Sequence, residues 1–189
     1  MNQHHPVSDK ALIKAAQRGD REAAAWLYRR HVDRVHRICY RIVLDPSQVQ
    51  DCVQEVWLKV FRNLDRFRSN RSFAAWLNTV TANTAIDYYR KWIKQRNHLD
   101  VDVARAHSLA ASRQSEAQQS DGAPVQQKIK EALENISVNQ RTAFVLRYFE
   151  EMPTAEIARI LGCTEGTVRI HIRRSLLALR ARLAGKLKL

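Results

Sequence analysis

The chain has 189 residues, a length that suits one ordinary domain or two small ones. It carries 32 Lys and Arg against 19 Asp and Glu, and its formal net charge of +13 favours a polyanionic partner. No apolar run approaches the ~18–20 residues that span a bilayer, and the start MNQHHPVSDK lacks the apolar core of a secretory signal. We therefore expect a cytoplasmic location and no direct membrane insertion. Nucleic acid is the most favoured class of partner.

Metal and disulfide chemistry receive little support from the sequence. The three cysteines form no C-x-x-C pair, and their odd number argues against a disulfide framework or a zinc ribbon. His31, His36 and Cys39 could be imagined as metal ligands, but steps of five and three residues do not place all three on one helix face. We expect no metal, no cofactor and no catalytic residues, and an enzyme is the weakest of the alternatives.

Composition predicts an all-α fold with two small helical domains joined by a flexible linker. Only 5 glycines and 4 prolines interrupt the chain, and apolar residues recur at helical spacing. Residues 98–124 contain no aromatic residue and end in a stretch rich in Ser, Gln, Asp, Gly and Pro. The expected division is therefore a domain over 1–97, a linker over 98–124 and a domain over 125–189.

Charge follows the same division. Residues 1–97 carry a net charge of +9, the linker −2 and residues 125–189 +6. Two basic modules on a tether could hold two separated stretches of DNA, with an effective concentration that the linker sets. One domain with a long internal loop is the less favoured alternative, because such loops are uncommon in compact domains.

Residues 47–64 predict a helix with two different faces. Its apolar stripe consists of Val49, Cys52, Val53, Val56, Trp57, Val60, Phe61 and Leu64. The opposite face carries Asp51, Gln54, Glu55, Leu58 and Arg62. Acidic groups around a leucine, in a protein this basic, indicate either a protein partner or an ordinary solvated face, and the residues alone do not decide between them.

The next predicted helix follows a short basic loop over residues 66–73. The helix buries Phe73, Trp76, Leu77, Val80 and Tyr88, and its other side presents Asn83, Asp87, Arg90 and Lys94. Tyr89 and Trp92 alternate with basic residues, a mixture suited to stacking unpaired bases. The loop could surround a flipped nucleotide with Arg66, Arg68, Asn70 and Arg71.

The C-terminal segment predicts a helix-turn-helix. TAEIARIL, residues 154–161, forms a short helix, Gly162 ends it, and Thr164 caps the next one. The second helix has an apolar stripe made of Val168, Ile172, Leu176, Leu179 and Leu183. Arg169, Arg173 and Arg174 lie outside that stripe, where they could reach phosphates and guanine edges in a major groove.

Four motifs occur together in a fixed order. They are D-x-x-Q-E-x-W-x-x-x-F from residue 51, F-x-x-W-L from residue 73, N-x-x-x-D-x-x-R from residue 83, and G-C-x-x-G-T-V-R from residue 162, with Arg147 between the last two. In this combination, over nearly the whole chain, the sequence resembles the extracytoplasmic-function (ECF) sigma factors of bacterial RNA polymerase, within the sigma-70 family. Pro153 departs from the family pattern, which often has a helix-capping serine there; proline is acceptable in a first turn, so the helix should survive.

The resemblance implies a non-enzymatic initiation factor with a role for each face. Asp51, Gln54, Glu55 and Leu58 would dock on the clamp helices of the polymerase β′ subunit, and the linker would pass near the RNA exit path, beside β. The loop residues Arg66, Arg68, Asn70 and Arg71, with Asn83, Asp87, Arg90 and Lys94, would bind and melt the −10 element. Arg147, Thr164, Thr167, Arg169, Ile170, Arg173 and Arg174 would bind the −35 element.

A regulatory partner and a rival function complete the expectations. An anti-sigma factor is common in this family and is expected to inhibit the protein. The rival is a stand-alone helix-turn-helix regulator that binds duplex DNA without polymerase. It would leave the acidic face and the aromatic, basic helix without a role.

Overall fold

The structure, a computed structural model, describes residues 8–68, 72–104 and 133–184. Every regular element in these ranges is helical, which confirms the all-α fold class. The helices are α1 (Asp9–Ala16), α2 (Arg21–Val43), α3 (Pro46–Asn63), a 3-10 turn (Leu64–Arg66), α4 (Phe73–Ala104), α5 (Val138–Tyr148), α6 (Thr154–Leu161) and α7 (Glu165–Ala184).

The first helices start where side chains can accept hydrogen bonds from free backbone N–H groups. Asp20 accepts from the amides of Glu22 and Ala23 at 2.9 and 3.0 Å and so caps α2. Asp45 caps α3, whose first residue is Pro46. Proline suits this position because the amide that it lacks would have no partner within the helix.

The N-terminal half is built around α2. Its apolar face contacts α1, α3 and α4, and Leu27, Ile38 and Ile42 are fully buried there. Seven of the eight residues of the predicted α3 stripe are buried as well. The exception is Phe61 at the edge of the stripe, which is 39% exposed and whose ring centroid lies 5.5 Å from that of Trp57.

Helix α4 is longer than the sequence predicted. It continues to Ala104, so residues 98–104 of the predicted linker are helical. Phe73 and Leu77 are buried as expected, whereas Trp76, Val80 and Tyr88 are half-buried at the margin of the core. Residues 105–124 lie outside the described residues, and the domain boundaries stay a prediction.

The C-terminal half contains the predicted helix-turn-helix. Gly162 has φ +62° and ends α6, a left-handed conformation that glycine adopts without strain. Pro153 precedes α6 without any side-chain cap, and the helix forms nevertheless. α5 begins with a capping box in which Ser137 and Gln140 satisfy each other's backbone amides, and it packs along α7.

One residue of the predicted α7 stripe was placed wrongly. Val168, Ile172 and Leu179 are buried, but Leu176 is 42% exposed, and the side chain of Leu183 lies outside the described residues. Ser175 takes the buried place instead, and its hydroxyl donates to the carbonyls of Gln140 and His171, both at 2.9 Å. A small residue is needed here because α5 and α7 approach closely.

The two halves of the chain also touch each other. α2 and α4 both contact α5, and α4 contacts α6. One apolar cluster joins Leu44, which follows α2, to Phe144 and Val145 of α5. The sequence predicted no such contact, since periodicity shows that a face is apolar without showing which element covers it.

The exposed position of Leu176 on α7 can be tested by comparing two truncations. Leu179→Ala should lower the free energy of unfolding by about 2–5 kcal/mol, because it opens a cavity. Leu176→Ala should change it by less than about 0.5 kcal/mol, since the side chain is largely in water. Urea denaturation of the two variants measures the difference. Equal losses would contradict the described face of α7.

Candidate functional site

The outer face of α3 is acidic and carries an exposed apolar residue. Asp51 and Gln54 are exposed, Leu58 is 52% exposed, and Glu55 is half-buried beneath Lys59, whose Nζ lies 3.1 Å from its carboxylate. The same carboxylates also affect the phenol of Tyr88. Burial raises its pKa, and the carboxylates of Asp51 and Glu55 raise it further. The four predicted residues thus share one negative surface.

This surface extends into aromatic side chains that the sequence did not single out. The ring of Tyr28 in α2 contacts that of Trp57 with centroids 4.9 Å apart, and the ring of Phe61 contacts the same indole at 5.5 Å. Phe61 and Leu58 are three residues apart and are neighbours on the helix surface. Tyr28 could not have been found from the periodicity of α3, because it belongs to another helix. Tyr28, Leu58 and Phe61 are each at least 38% exposed, and neighbouring exposed apolar side chains are typical of protein-binding surfaces.

The outer face of α4 matches the sequence prediction. Asn83, Asp87, Arg90 and Lys94 are all exposed along one side of the helix. Buried residues of the opposite side, including Leu77 and Ala85, hold that orientation. The arrangement is a polar, mainly basic track about three turns long.

Tyr89 and Trp92 are less available than the sequence suggested. Both are half-buried, with ring centroids 6.0 Å apart. The guanidinium of Arg141 covers the Tyr89 ring at 4.6 Å, and that of Arg96 lies 5.4 Å from the Trp92 ring. In this conformation Tyr89 cannot stack a base on the face that Arg141 covers.

The basic loop before α4 is anchored by a residue that the sequence analysis missed. The side-chain amide of Gln17 donates to the carbonyls of Leu64 and Phe67, at 2.8 and 3.0 Å. Phe67 is buried and contacts Phe73 and Trp76 with centroid distances of 5.6 and 5.1 Å. These contacts hold the start of the loop, where Arg66 and Arg68 are exposed. Asn70 and Arg71 lie outside the described residues.

The helix-turn-helix presents its predicted residues on one exposed surface. Thr164 caps α7 by accepting from the amide of Thr167 at 3.2 Å, and the two hydroxyls lie 3.0 Å apart. Four residues of the following turns are exposed, and they are Arg169, Ile170, Arg173 and Arg174. Of these four, and within the part of the chain that the structure describes, only Arg169 is near an acid, with its guanidinium 3.6 Å from Glu165. Arg173 and Arg174 therefore have their charge available for phosphate or base contacts.

Arg147 lies apart from this group, near the end of α5. Its guanidinium donates to the carbonyl of Met152 at 3.2 Å, so the side chain also supports the turn before α6. The residue is exposed, which leaves its remaining N–H groups accessible.

The three imagined metal ligands do not converge. His31 is buried beside Asp9, with 3.0 Å between its Nε2 and the carboxylate, and burial lowers its pKa. His36 is exposed, and Cys39 is buried, where its hydrogen bond with Cys52 and its burial hold its pKa well above the usual value. In the parts of the chain that the structure describes, no group of three or more His, Cys, Asp and Glu side chains is placed to hold a metal ion.

Among the described helices, none is both long enough and apolar enough to cross a bilayer.

The Thr164 cap generates a prediction about the second helix of the motif. Thr164→Ala should destabilise the start of α7 by about 0.5–2 kcal/mol, because an N-cap acceptor is lost. Thr164→Ser keeps a hydroxyl and should stay close to wild type. Thermal denaturation followed by far-UV circular dichroism compares the three proteins. Equal losses in the Ala and Ser variants would show that the cap hydrogen bond is not what matters.

Comparison with known families covers both halves of the chain. The family model described as Sigma-70 region 2 matches residues 27–96, and the one described as Sigma-70, region 4 matches residues 126–179. The first covers α3 and the part of α4 up to residue 96, and the second covers α5, α6 and the part of α7 up to residue 179.

Two relatives match along almost their full length. The ECF RNA polymerase sigma factor SigW of Bacillus subtilis is 31% identical over 183 residues, which cover 92% of this chain and 96% of SigW. The ECF RNA polymerase sigma-E factor of Escherichia coli K12 is 30% identical over 175 residues, covering 89% and 91%.

Solved structures share the fold. CnrH, solved with the cytosolic domain of CnrY, matches with a TM-score of 0.63 and 24% identity, covering 94% of this chain and 98% of CnrH. RpoE of Bartonella quintana, solved with the anti-sigma factor NepR, matches with a TM-score of 0.64 and 20% identity, covering 86% and 97%. From the two matched regions and the full-length relatives it follows that this chain belongs to the sigma-70 family, as an ECF RNA polymerase sigma factor.

Proposed function

We propose that this sigma factor divides promoter-directed initiation among three separate surfaces. A region 2 domain over residues 1–97 binds core polymerase through α3 and the −10 element through α4. A region 4 domain over residues 125–189 binds the −35 element, and residues 98–124 connect the two. The observation that carries the proposal is the separation of an acidic, partly apolar face on α3 from basic faces on α4 and α7.

The polymerase contact uses the face of Asp51, Gln54, Glu55 and Leu58. A negative patch is unsuited to DNA, and its exposed leucine and the nearby Phe61 favour a protein surface. The partner surface would be the β′ clamp helices, with basic groups opposite the two carboxylates. Complementary charge of this kind raises the rate of association and fixes the orientation of the complex.

The −10 contact uses the outer face of α4 and the loop before it. Asn83 offers an amide that can read a base edge, and Arg66, Arg68, Asn70 and Arg71 would surround a base flipped from the non-template strand. Asp87, Arg90 and Lys94 continue along the helix, where the two cations would neutralise the strand's phosphates.

The −35 contact uses the second helix of the helix-turn-helix. Thr164, Thr167, Arg169, Ile170, Arg173 and Arg174 would face the major groove, with Arg147 reaching the backbone beside it. Arginine is suited to both tasks because it binds phosphates and makes bidentate contacts with guanine. Weak contacts at two promoter elements then reinforce each other through the polymerase that holds both domains.

In this proposal the protein is a non-enzymatic subunit that needs no metal or cofactor and works in the cytoplasm, where the polymerase is. CnrH was solved with the cytosolic domain of CnrY, and RpoE was solved with the anti-sigma factor NepR. A similar anti-sigma partner for this chain would cover the polymerase-binding face of α3. The stand-alone regulator gains no support from the comparisons, and it gives α3 no function.

The α3 surface can be tested by charge reversal. Asp51→Lys with Glu55→Lys raises the net charge from +13 to +17. We expect this variant to stay folded and to keep its non-specific DNA affinity. It should fail to co-purify with core polymerase, because like charges across a docked interface are costly.

The matched control is Glu22→Lys with Asp33→Lys, which makes the same charge change at exposed residues of α2. It should bind core polymerase normally. Normal polymerase binding by the folded α3 variant would contradict the assignment of this surface.

The two DNA surfaces should fail at different steps. Arg173→Ala should weaken closed-complex formation on a duplex −35 element, at a cost on the order of 1–3 kcal/mol if the lost contact is bidentate. Asn83→Ala should spare that step and reduce strand opening. Gel shifts on duplex promoter and permanganate footprints of the melted region separate the steps. Normal melting by the Asn83 variant would show that Asn83 does not hold the flipped base.

A further inference from the structure

The outward face of α7 has an isoleucine at its centre. Ile170 lies in the second turn of the helix and is 52% exposed. It is two residues away from both Val168 and Ile172, which are buried, and two residues of an α-helix correspond to a rotation of about 200°. The side chain of Ile170 therefore points away from the core, and it belongs to neither of the apolar clusters that the described residues form.

Arginines flank this isoleucine on both sides. Arg173 and Arg174 follow it by three and four residues, positions that neighbour Ile170 on the helix surface, and both are exposed. Helix formation does not favour isoleucine here, because a β-branched side chain has a lower helix propensity than leucine, lysine or arginine. A single exposed apolar residue is ordinary on a protein surface. This one, however, lies between the two arginines that are proposed to reach DNA, so a contact with DNA would explain it.

A glycine lies one turn before Ile170 on the same face. Gly166 is exposed and helical, and its φ lies outside the left-handed region. Apart from its chain neighbours and the helix backbone, the nearest described atom to an added Cβ would be the Thr164 hydroxyl oxygen, at an ordinary contact distance of 3.7 Å. Neither backbone conformation nor packing within the chain therefore requires glycine, although glycine weakens a helix relative to alanine. Close approach of the helix backbone to a partner is the physical reason that is left.

A major groove offers one apolar group to such a side chain. Base edges there present hydrogen-bond donors and acceptors, and thymine alone adds a methyl group, on C5. Isoleucine has no polar side-chain atom, so this methyl group is the one part of a base edge that it contacts favourably. Against another base it would displace water from polar atoms without replacing their hydrogen bonds, which is unfavourable. The same side chain would therefore favour thymine and disfavour the other bases.

We infer that Ile170 contacts the C5 methyl group of a thymine in the −35 element and so determines which base is accepted at that position. Gly166 lets the start of α7 come close enough to the base edges for this short side chain to reach them. The second turn of α7 is suited to this role, because the N-terminal residues of a recognition helix are those that contact bases. This inference rests on the proposed binding of α7 to the −35 element, and it adds the base that one residue reads.

Replacement of thymine by uracil tests the contact, since uracil lacks only the C5 methyl group and keeps the same base pairing. Core polymerase assembled with the full chain first selects tight-binding duplexes from a promoter library whose −35 region is randomised. Each thymine of the selected −35 element, on either strand, is then replaced singly by uracil. Competition gel shifts measure closed-complex formation on the thymine duplex and on each uracil duplex.

Wild type should bind about three- to fivefold more weakly when one particular thymine is replaced, the factor expected for withdrawing one methyl group from an apolar contact. Ile170→Ser should bind the thymine and uracil duplexes equally, because the partner of the methyl group is gone. Leu177→Ser is the matched control, since Leu177 is 55% exposed and lies about two turns further along the same face. It should keep the methyl dependence of wild type.

Gly166→Ala gives a second readout that does not depend on Ile170. The added methyl group should raise the melting temperature, because alanine has a higher helix propensity than glycine. It should also weaken closed-complex formation and reduce the difference between thymine and uracil, since the helix is held further from the bases. A more stable variant with the methyl dependence of wild type would overturn the close approach on which the contact depends.

Two results would overturn the assignment of Ile170. One is that no thymine of the selected element shows a methyl dependence, and the other is that the dependence persists in Ile170→Ser. Arg173→Ala separates these results from failure of the proposed −35 contact, because it should weaken binding of the thymine and uracil duplexes by the same factor. If it does so while no thymine depends on its methyl group, α7 binds the −35 element and only the assignment of Ile170 is wrong. If Arg173→Ala and Ile170→Ser both bind like wild type, the proposed −35 contact itself fails.

Discussion

The rest of the structure depends on the burial of the apolar face of α2. Leu27, Val35, Ile38 and Ile42 are fully buried there, beneath α1, α3 and α4. Each such side chain contributes about 1.5–3 kcal/mol relative to exposure, so this face fixes the rotation of the helices that pack on it. α3 and α4 must then turn their polar faces to solvent in different directions. The separation of the proposed polymerase and DNA surfaces follows from how the core is filled.

Charge suits the outward faces of α3, α4 and α7 to different partners. The protein is strongly basic, yet α3 carries Asp51 and Glu55 around an exposed leucine, whereas α4 and α7 present mostly cations. A uniformly basic protein would bind DNA wherever it met it. The acidic face provides one site where DNA is repelled and a protein with basic groups is attracted, so recognition of the promoter can depend on prior binding to polymerase.

Much of the fold was predictable because local signals agreed with each other. Gly162 and Thr164 marked the turn of the helix-turn-helix, and the two faces of α3 followed from helical spacing. Periodicity failed at Leu176, where close packing of α5 and α7 selected Ser175 for the buried place. It also could not show that Gln17 anchors the loop 47 residues away at Leu64, because no local pattern encodes a contact between distant segments.

Site prediction had the same limits. The exposed residues of α4 were identified correctly as a face, but the sequence could not show that Asn139 accepts a hydrogen bond from Arg90 on that face, or that Arg141 covers the neighbouring Tyr89 ring. Tyr28 was missed for a similar reason, since it joins the α3 surface from another helix. What sequence reasoning lacks in these cases is the identity of the neighbouring element, which only tertiary packing determines.

The proposed roles of α3 and α4 are tested most directly by photo-crosslinking. A photo-crosslinking amino acid is placed at Leu58 or at Asn83 in full-length protein bound to core polymerase and promoter DNA. The account predicts that the Leu58 position crosslinks to the β′ subunit and that the Asn83 position crosslinks to the non-template strand near −10. Crosslinking of the Leu58 position to DNA, or of the Asn83 position to polymerase alone in an open complex, would contradict it.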